Sequence, residues 1–194
     1  SGLQWFRMAR ATNFQEFQDA LGMQAIPMFN IVYADADGNI FYIWNGTPPN
    51  MPHERNDYAP VPAATSNDIW TEFHPLDRLM QFTNPNGGYV QNCNSPPYMT
   101  NLHEPLRRED YPPHFPDNDL SLRTQHGLHL IDNDHKFTLD DLMDAKYSTT
   151  MWLARRIKDD LIAALQNESL SEDEKNAVSM LRAWDGSADA DSVG

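Results

Sequence analysis

Apolar residues first recur at helical spacing between residues 12 and 22. Three of them would share one helix face: Phe14, Phe17 and Leu21. Asn13 can cap the start of this helix, and Glu16 can reach back to Asn13 as in a capping box. Because Gly22 suits the end of a helix, the pattern predicts one short amphipathic helix at this place.

Two apolar runs come next, over residues 28–34 and 40–44, with a polar turn between them. Both runs are rich in β-branched and aromatic residues, and the turn contains Asp37-Gly38. This combination is a strong local signal for a β-hairpin. The nearly continuous apolarity of both runs further predicts a sheet that is covered on both faces.

A Gly-rich turn begins at Asn84 and leads into a predicted short strand, residues 88–94, that ends in asparagines. Two interpretations of these asparagines stay open. Side-chain amides at the end of a strand can direct N–H donors at a developing negative charge, as acyl-transfer chemistry requires. Alternatively, the asparagines satisfy only the backbone groups of the turn.

Residues 98–119 are rich in proline and polar residues, which predicts a long irregular loop of the kind that often forms a lid or a subunit contact. Residues 120–185 carry helical patterns and residues 186–194 form an acidic tail. Four helices are expected: one over 120–131, one capped by Thr138, one over 154–165, and one opened by Ser171-Glu172-Asp173-Glu174 and ending near Trp184. Helix, strands and then helices indicate an α+β fold rather than alternating βαβ units.

Composition and charge narrow the function classes. The 194 residues are 40% hydrophobic, which suffices for a core. Lys and Arg number 14 against 28 Asp and Glu, and the net charge of -14 argues against a nucleic-acid partner. No apolar run approaches bilayer length, so no membrane partner is expected. A single cysteine, Cys93, excludes a disulfide within the chain and a cysteine-based zinc site.

One group of residues suggests a metal site: His126, His129, Asp132 and His135. Some of these side chains could share a helix face, and imidazole with carboxylate suits a transition metal. However, Gly127 interrupts the helix and the chain has no H-E-x-x-H motif. A solvated helix face is therefore favoured over a metal site, and no metal ligand is assigned.

Two single residues are further candidates. Cys93 could be a nucleophile, but no histidine lies close to it in sequence, so a small buried apolar side chain is the favoured interpretation. Arg123 opens the helix after the long loop, where its guanidinium could reach the asparagine segment, or it could be an ordinary surface arginine. The chain has no G-x-S-x-G, P-loop or G-x-G-x-x-G motif, so nucleophile-elbow, phosphate-loop and Rossmann enzymes find no support.

Four motifs in a fixed order carry a family resemblance: Ala11-Thr12-Asn13-Phe14-Gln15-Glu16-Phe17, Tyr33-Ala34-Asp35-Ala36-Asp37-Gly38-Asn39-Ile40, Phe73-His74-Pro75-Leu76 and Asn84-Pro85-Asn86-Gly87-Gly88-Tyr89-Val90-Gln91-Asn92-Cys93-Asn94-Ser95-Pro96. In this order they resemble the β-chain of the penicillin amidase family of N-terminal nucleophile hydrolases. The family includes penicillin acylases, cephalosporin acylases and acyl-homoserine lactone acylases. The resemblance extends to Ala183-Trp184-Asp185-Gly186.

The resemblance implies an αββα sandwich, with sheet strands in residues 28–94 and helices in residues 120–184. It implies hydrolysis of an acyl-amide bond through an acyl-enzyme, with an N-terminal serine as nucleophile and its own α-amino group as base. Asn94 matches the family's oxyanion asparagine, and Arg123 matches an arginine that orders the site near it. No cofactor is implied for the chemistry.

The departures from the family concern the missing parts of the site. Ser1 precedes Gly2 and a helix instead of opening a strand, so we expect residues 1–194 to be a single internal segment of the β-subunit, inactive alone because the nucleophile lies upstream. At the position of Cys93, members of the family commonly carry a bulky side chain. The implied parent would be an autoprocessed, periplasmic or secreted enzyme, built with the rest of the β-chain and an α-chain, with a structural calcium.

Two other function classes stay open from the residues. The chain could be a non-catalytic binding or scaffold module that uses the loop at residues 97–119 and the acidic helices as its interaction surface. A metal-dependent enzyme that uses His126 and His129 would need a bound transition metal.

Overall fold

The computed structural model describes residues 1–51, 60, 63–133 and 135–193. The chain divides into two compact units, residues 1–124 and 125–194. The described residues contain one three-stranded sheet and six α-helices, which agrees with the predicted α+β class. No helix among the described residues is long and apolar enough to cross a membrane.

The first unit begins with two helices and continues with the sheet and irregular segments. Its regular elements are α1 Gly2–Arg10, α2 Phe14–Leu21, β1 Met28–Ala34, β2 Ile40–Gly46 and β3 Gln81–Thr83. Single 3-10 turns lie at Ser66–Asp68, Leu76–Arg78, Pro97–Met99 and Arg108–Asp110. Helix α3, Leu122–Ile131, starts at the end of this unit; α4 Leu139–Lys146, α5 Trp152–Leu165 and α6 Glu172–Ala183 belong to the second.

The predicted hairpin is confirmed. Strands β1 and β2 pair in antiparallel register from Met28 with Gly46 to Ala34 with Ile40. The Asp35 carboxylate closes the turn by accepting hydrogen bonds from the backbone N–H and side-chain amide of Asn39, at 2.9 and 2.8 Å. These bonds lower the pKa of Asp35. The polar residues of the turn therefore stabilise the turn itself.

The expectation that the sheet is covered on both faces holds for β2 and is wrong for β1. Strand β2 lies between β1 and β3, and five of its seven residues are buried. Strand β1 lies at an edge of the sheet in the described residues, and Phe29 and Val32 each remain 53% exposed. Apolar sequence alone does not distinguish a central strand from an edge strand with an open face.

The predicted strand over residues 88–94 is wrong. The chain forms β3 earlier, at Gln81–Thr83, and residues 88–94 are irregular. Gly88 and Asn94 adopt positive φ angles of 69° and 65°, and an extended strand requires negative φ. The positive φ angles at both ends of this segment are therefore incompatible with the predicted strand.

Helix α2 and its cap agree with the sequence, with one correction. The Asn13 side chain accepts the backbone N–H of Glu16 at 2.9 Å. The Glu16 carboxylate accepts the backbone N–H of Thr12 at 2.8 Å, one residue before the predicted partner. Helix α1 was not predicted. Its residues Met8 and Gln4 are buried, Gln4 completely. The side-chain oxygen of Gln4 accepts the backbone N–H of Ala25 at 2.7 Å.

The long loop is irregular, as predicted, but its aromatic residues belong to the core. Tyr98 and Phe115 are 0% and 1% exposed. They join the cluster of buried side chains that α1, α2 and the sheet form, which includes Leu21 and Ile43. The Arg108 guanidinium stabilises the loop by donating to four backbone carbonyls: Tyr111, Pro112, Pro113 and Phe115.

In the second unit the predicted capping boxes are both present. Thr138 with Asp141 caps α4, and Ser171 with Glu174 caps α6. The acidic tail is also ordered by local contacts, because the Trp184 indole N–H donates to the carbonyl of Ser187 at 2.8 Å. An isolated bridge between Ser187 and Thr150 holds the tail against the start of α5.

Candidate oxyanion site

The side chain of Asn92 fixes the backbone on both sides of Asn94. Its carbonyl oxygen accepts the backbone N–H of Asn94 at 2.7 Å, and its amide donates to the carbonyl of Ser95 at 2.9 Å. The first bond is an Asx-turn, and asparagine tolerates the left-handed conformation that Asn94 adopts. For Asn92, the interpretation that an asparagine of this segment satisfies backbone groups of the turn is therefore confirmed.

Asn92 also connects this turn to the sheet. Its amide lies 3.4 Å from the hydroxyl of Tyr42, which in turn donates to the side-chain oxygen of Asn30 at 2.6 Å. Tyr42 is 0% exposed, and burial raises its pKa far above the ordinary value. The phenol therefore stays protonated at neutral pH, so it can keep donating to Asn30.

Asn94 differs from Asn92 in that its side chain is exposed. Its amide makes no hydrogen bond to any residue that the structure describes. The backbone of Asn94 is fixed while its side-chain N–H groups stay available to a ligand. This arrangement suits a hydrogen-bond donor to a polarised carbonyl oxygen.

Cys93 is half-buried beside the two asparagines, with its sulfur 3.6 Å from the side-chain oxygen of Gln91. Burial raises the pKa of the thiol, and the positive charge of Arg123 partly opposes this increase. A raised pKa keeps the sulfur protonated at neutral pH, whereas a nucleophilic cysteine needs the thiolate. The raised pKa thus gives the nucleophile interpretation of Cys93 no support.

Arg123 lies in the first turn of α3, close enough to the asparagine segment for its charge to act on Cys93. Its side chain is exposed and makes no hydrogen bond to a described residue. The residues that directly follow Asn94 and Arg123, Ser95 and Thr124, are hydrogen-bonded, so the backbone segments that carry Asn94 and Arg123 meet. An amide donor and a guanidinium can together bind an oxygen that carries partial negative charge.

Ser95 and Thr124 connect the two segments, and sequence analysis did not find them. The hydroxyl groups of these two buried residues share a hydrogen bond, although 29 residues separate them. Such a contact leaves no periodic signal in the sequence. The Asn92-x-Asn94 spacing, by contrast, does fit an Asx-turn and could have been found.

The histidines of the second unit pack on an aromatic side chain. The rings of His126 and His129 lie 5.3 and 4.6 Å from the indole ring of Trp152. His135 contacts the carboxylate of Asp141 at 3.0 Å. Across the described parts of the chain, no three His, Cys, Asp or Glu side chains are placed to hold a metal ion. The hypothesis of a metal-dependent enzyme therefore gains no support here.

Comparison with known proteins gives consistent matches. The sequence model of the family described as penicillin amidase matches residues 1–194. Penicillin G acylase of Escherichia coli is 27% identical over 193 residues, 95% of the chain and 21% of that relative. Acyl-homoserine lactone acylase PvdQ of Pseudomonas putida is 24% identical over 210 residues, 97% of the chain and 26% of that relative.

A solved structure, the thermostable penicillin G acylase from Alcaligenes faecalis, superimposes with a TM-score of 0.66 at 24% sequence identity. The match covers 95% of the chain and 32% of that acylase chain. The chain thus spans about a fifth to a third of the length of these proteins.

Proposed function

Because the chain belongs to the penicillin amidase family, we propose that it is an internal segment of the β-subunit of an acylase that hydrolyses an acyl-amide bond. Both curated relatives carry acylase names. The short share of each relative that the chain covers supports the segment assignment. The substrate would be a small acylated amide of the penicillin, cephalosporin or acyl-homoserine lactone type.

In the proposed mechanism, the hydroxyl of an N-terminal serine upstream of this chain attacks the substrate carbonyl, and the α-amino group of that serine takes the proton. The carbonyl oxygen becomes an oxyanion. Asn94 donates a side-chain hydrogen bond to it, and Arg123 orders the site through its positive charge. The amine then leaves with a proton, and water hydrolyses the acyl-enzyme.

The observation that carries this proposal is the combination, at Asn94, of a fixed backbone and a side-chain amide that bonds to no described residue. A donor that stabilises an oxyanion must be held in place before the reaction and must not be occupied by another acceptor. Asn92 supplies the first condition at 2.7 Å, and the exposure of the Asn94 side chain supplies the second.

In this proposal the nucleophile, the rest of the β-chain and the α-chain lie outside this chain. Ser1 accepts the backbone N–H of Trp5 through its carbonyl at the start of α1 and does not open a strand, so we assign it no catalytic role. The chain alone would be inactive. The parent would be autoprocessed, periplasmic or secreted, and would combine this segment with the rest of the β-chain and an α-chain in an αββα sandwich.

A structural calcium in the parent would take most of its ligands from outside this chain. The described residues of this chain place no three carboxylate or imidazole groups around a common point, and Ca²⁺ takes six to eight oxygen ligands. We assign no cofactor to the chemistry itself.

Replacing Asn94 tests the proposal in the full-length enzyme. Asn94→Ala removes the donor but no observed side-chain contact, so we expect kcat to fall by about 10²- to 10³-fold. Alanine at the positive φ of position 94 should cost about 1 kcal/mol of stability without unfolding the protein. The assay is hydrolysis of p-nitroanilides of phenylacetic acid and of straight-chain fatty acids. Asn167→Ala, an exposed asparagine of the second unit, is the matched control. Unchanged turnover in Asn94→Ala would contradict the oxyanion assignment.

A further inference from the structure

We propose that Thr124, through its hydrogen bond to Ser95, is a positioning residue for the side-chain amide of Asn94. This inference rests on the proposed function, because it concerns the same oxyanion site. It adds a hydroxyl pair to the site and assigns that pair a geometric role in the reaction.

The hydroxyl pair joins the two segments that carry the site. Ser95 directly follows Asn94, and Thr124 directly follows Arg123. Ser95 and Thr124 are 8% and 2% exposed, so water competes little for their hydrogen bond. A single buried bond therefore links the turn that presents the amide to the helix that presents the guanidinium.

Thr124 is itself held in place. The hydroxyl of Ser121, the residue before α3, accepts the backbone N–H of Thr124 at 3.2 Å, as a helix-capping side chain does. The same hydroxyl lies 2.9 Å from the hydroxyl of Thr124. Threonine is also β-branched, which restricts its side-chain rotation. The Thr124 hydroxyl is therefore a fixed anchor for Ser95.

Asn94 is thus restrained within its own turn and, through Ser95, against helix α3. Asn92 restrains the backbone through the bonds to the Asn94 N–H and the Ser95 carbonyl. The Ser95 hydroxyl restrains it from the downstream side through Thr124. Without the Thr124 bond the turn would keep both bonds to Asn92, but it would lose its anchor to helix α3 and could shift relative to that helix. A shift of about 1 Å at a reacting group can cost roughly 100-fold in rate.

Arg123 lies in the same turn of helix α3 as Thr124. Helix α3 has no acidic residue in its first turn, and it carries a cation there instead. The helix dipole makes a positive charge near the N-terminus unfavourable. The Ser95–Thr124 bond fixes the turn of helix that carries this charge.

The test compares three variants of the full-length acylase with the same p-nitroanilide substrates. Thr124→Val keeps the side-chain shape and removes the hydroxyl, and we expect kcat to fall about tenfold with KM unchanged. Thr124→Ser restores the hydroxyl and should restore kcat to near the original value. Thr149→Val is the matched control, since it breaks a similar hydroxyl pair with Ser187 in the second unit and should leave kcat unchanged.

A double variant separates positioning from a general structural effect. If Thr124 acts through Asn94, Thr124→Val should cause no further loss of kcat in an Asn94→Ala background. If the two losses multiply, Thr124 acts elsewhere and the inference is wrong. If Thr124→Val does not fold, Ser95→Ala removes the same hydrogen bond from the other side and is subject to the same comparison.

The outcomes distinguish this inference from the proposed function. Full turnover in Asn94→Ala would overturn the oxyanion assignment and the positioning role with it. Strong loss in Asn94→Ala together with wild-type kcat in both Thr124→Val and Ser95→Ala would leave the proposed function standing and overturn the positioning role alone.

Discussion

Gly87 and Gly88 precede the site as neighbours with similar backbone conformations, at φ angles of 83° and 69°, but only one of them is closely surrounded. A Cβ atom on Gly87 would lie 2.4 Å from the imidazole ring of His103, whereas one on Gly88 would meet no atom within 4 Å. The two positions therefore separate backbone strain from steric clash.

We predict that Gly87→Ala destabilises the protein more than Gly88→Ala. Placing alanine at positive φ costs about 1 kcal/mol at either position, and the clash with His103 should add about 1–3 kcal/mol at Gly87 alone. Urea denaturation of both variants measures the difference. Equal losses of unfolding free energy would show that the His103 ring moves away without cost.

For single residues, the sequence predicted the members of the candidate site less well than it predicted turns and helix caps. The residues alone indicated the asparagine segment and Arg123 as candidates. The choice of Asn94 among the asparagines of that segment came from the family resemblance. The Ser95–Thr124 bond joins residues 29 positions apart. Serine and threonine are common on surfaces, so their burial depends on packing that a sequence pattern does not contain.

Among elements, the irregular loop over residues 98–119 depends most on a single side chain. The guanidinium of Arg108 donates to four carbonyls of this loop and also contacts Asp117 at 3.1 Å. The loop backbone itself bonds one of these carbonyls, since the Phe115 N–H donates to that of Pro112 at 3.0 Å. Arg108 therefore adds side-chain donors to the backbone hydrogen bonding beside the buried Phe115.

Arg108→Lys should destabilise the protein by about 2 kcal/mol, because a lysine ammonium keeps the charge but cannot reach several carbonyls with a planar fork of donors. Arg107→Lys is the matched control at the neighbouring position. The Arg107 side chain is 66% exposed and pairs with Glu109 at 2.8 Å, so its loss should stay within about 0.5 kcal/mol. Thermal denaturation compares the two; similar melting temperatures would contradict a special role for Arg108.

The elements that were predicted correctly carry their signals within a few residues. The hairpin has its turn sequence between two β-branched runs, and α4 and α6 have complete capping boxes. Helix α1 lacks such a signal, since its cap makes no side-chain hydrogen bond. Strand β3 has three residues and exists through pairing with β2, which is a contact that local sequence does not encode.

At the scale of the whole molecule, the net charge of -14 implies that acidification should stabilise the folded chain, because protonation reduces repulsion among carboxylates. The hydrogen bonds of the fold act in the opposite direction. Among the residues that the structure describes, seven carboxylates have a lowered pKa, chiefly because backbone or side-chain donors bond to the charged form: Glu16, Asp35, Asp68, Glu109, Asp141, Glu174 and Asp185.

We predict that stability falls as the pH drops below the ordinary carboxylate values of 4.5 for Glu and 3.8 for Asp. A lowered folded pKa means that the unfolded chain binds more protons in this range, so the free energy of unfolding rises with pH. At about 0.15 M salt, screening over about 8 Å weakens the long-range repulsion more than these contacts. Denaturant unfolding from pH 7 to pH 3 measures the change.

Glu174→Gln supplies the control for this pH dependence, because it removes one of the seven titrating groups at the capping box of α6. Its unfolding free energy should depend less steeply on pH between 5 and 3 than that of the unaltered protein. A protein that becomes more stable on acidification would show that repulsion outweighs the local hydrogen bonds.

The half-buried thiol of Cys93 makes the candidate site accessible to spectroscopy without any substitution. It is the single cysteine of the chain and directly precedes Asn94. A small fluorinated alkylating reagent attached to it would report by ¹⁹F NMR on the surroundings of the amide. The raised pKa of the thiol makes labelling slow at neutral pH and faster as the pH rises.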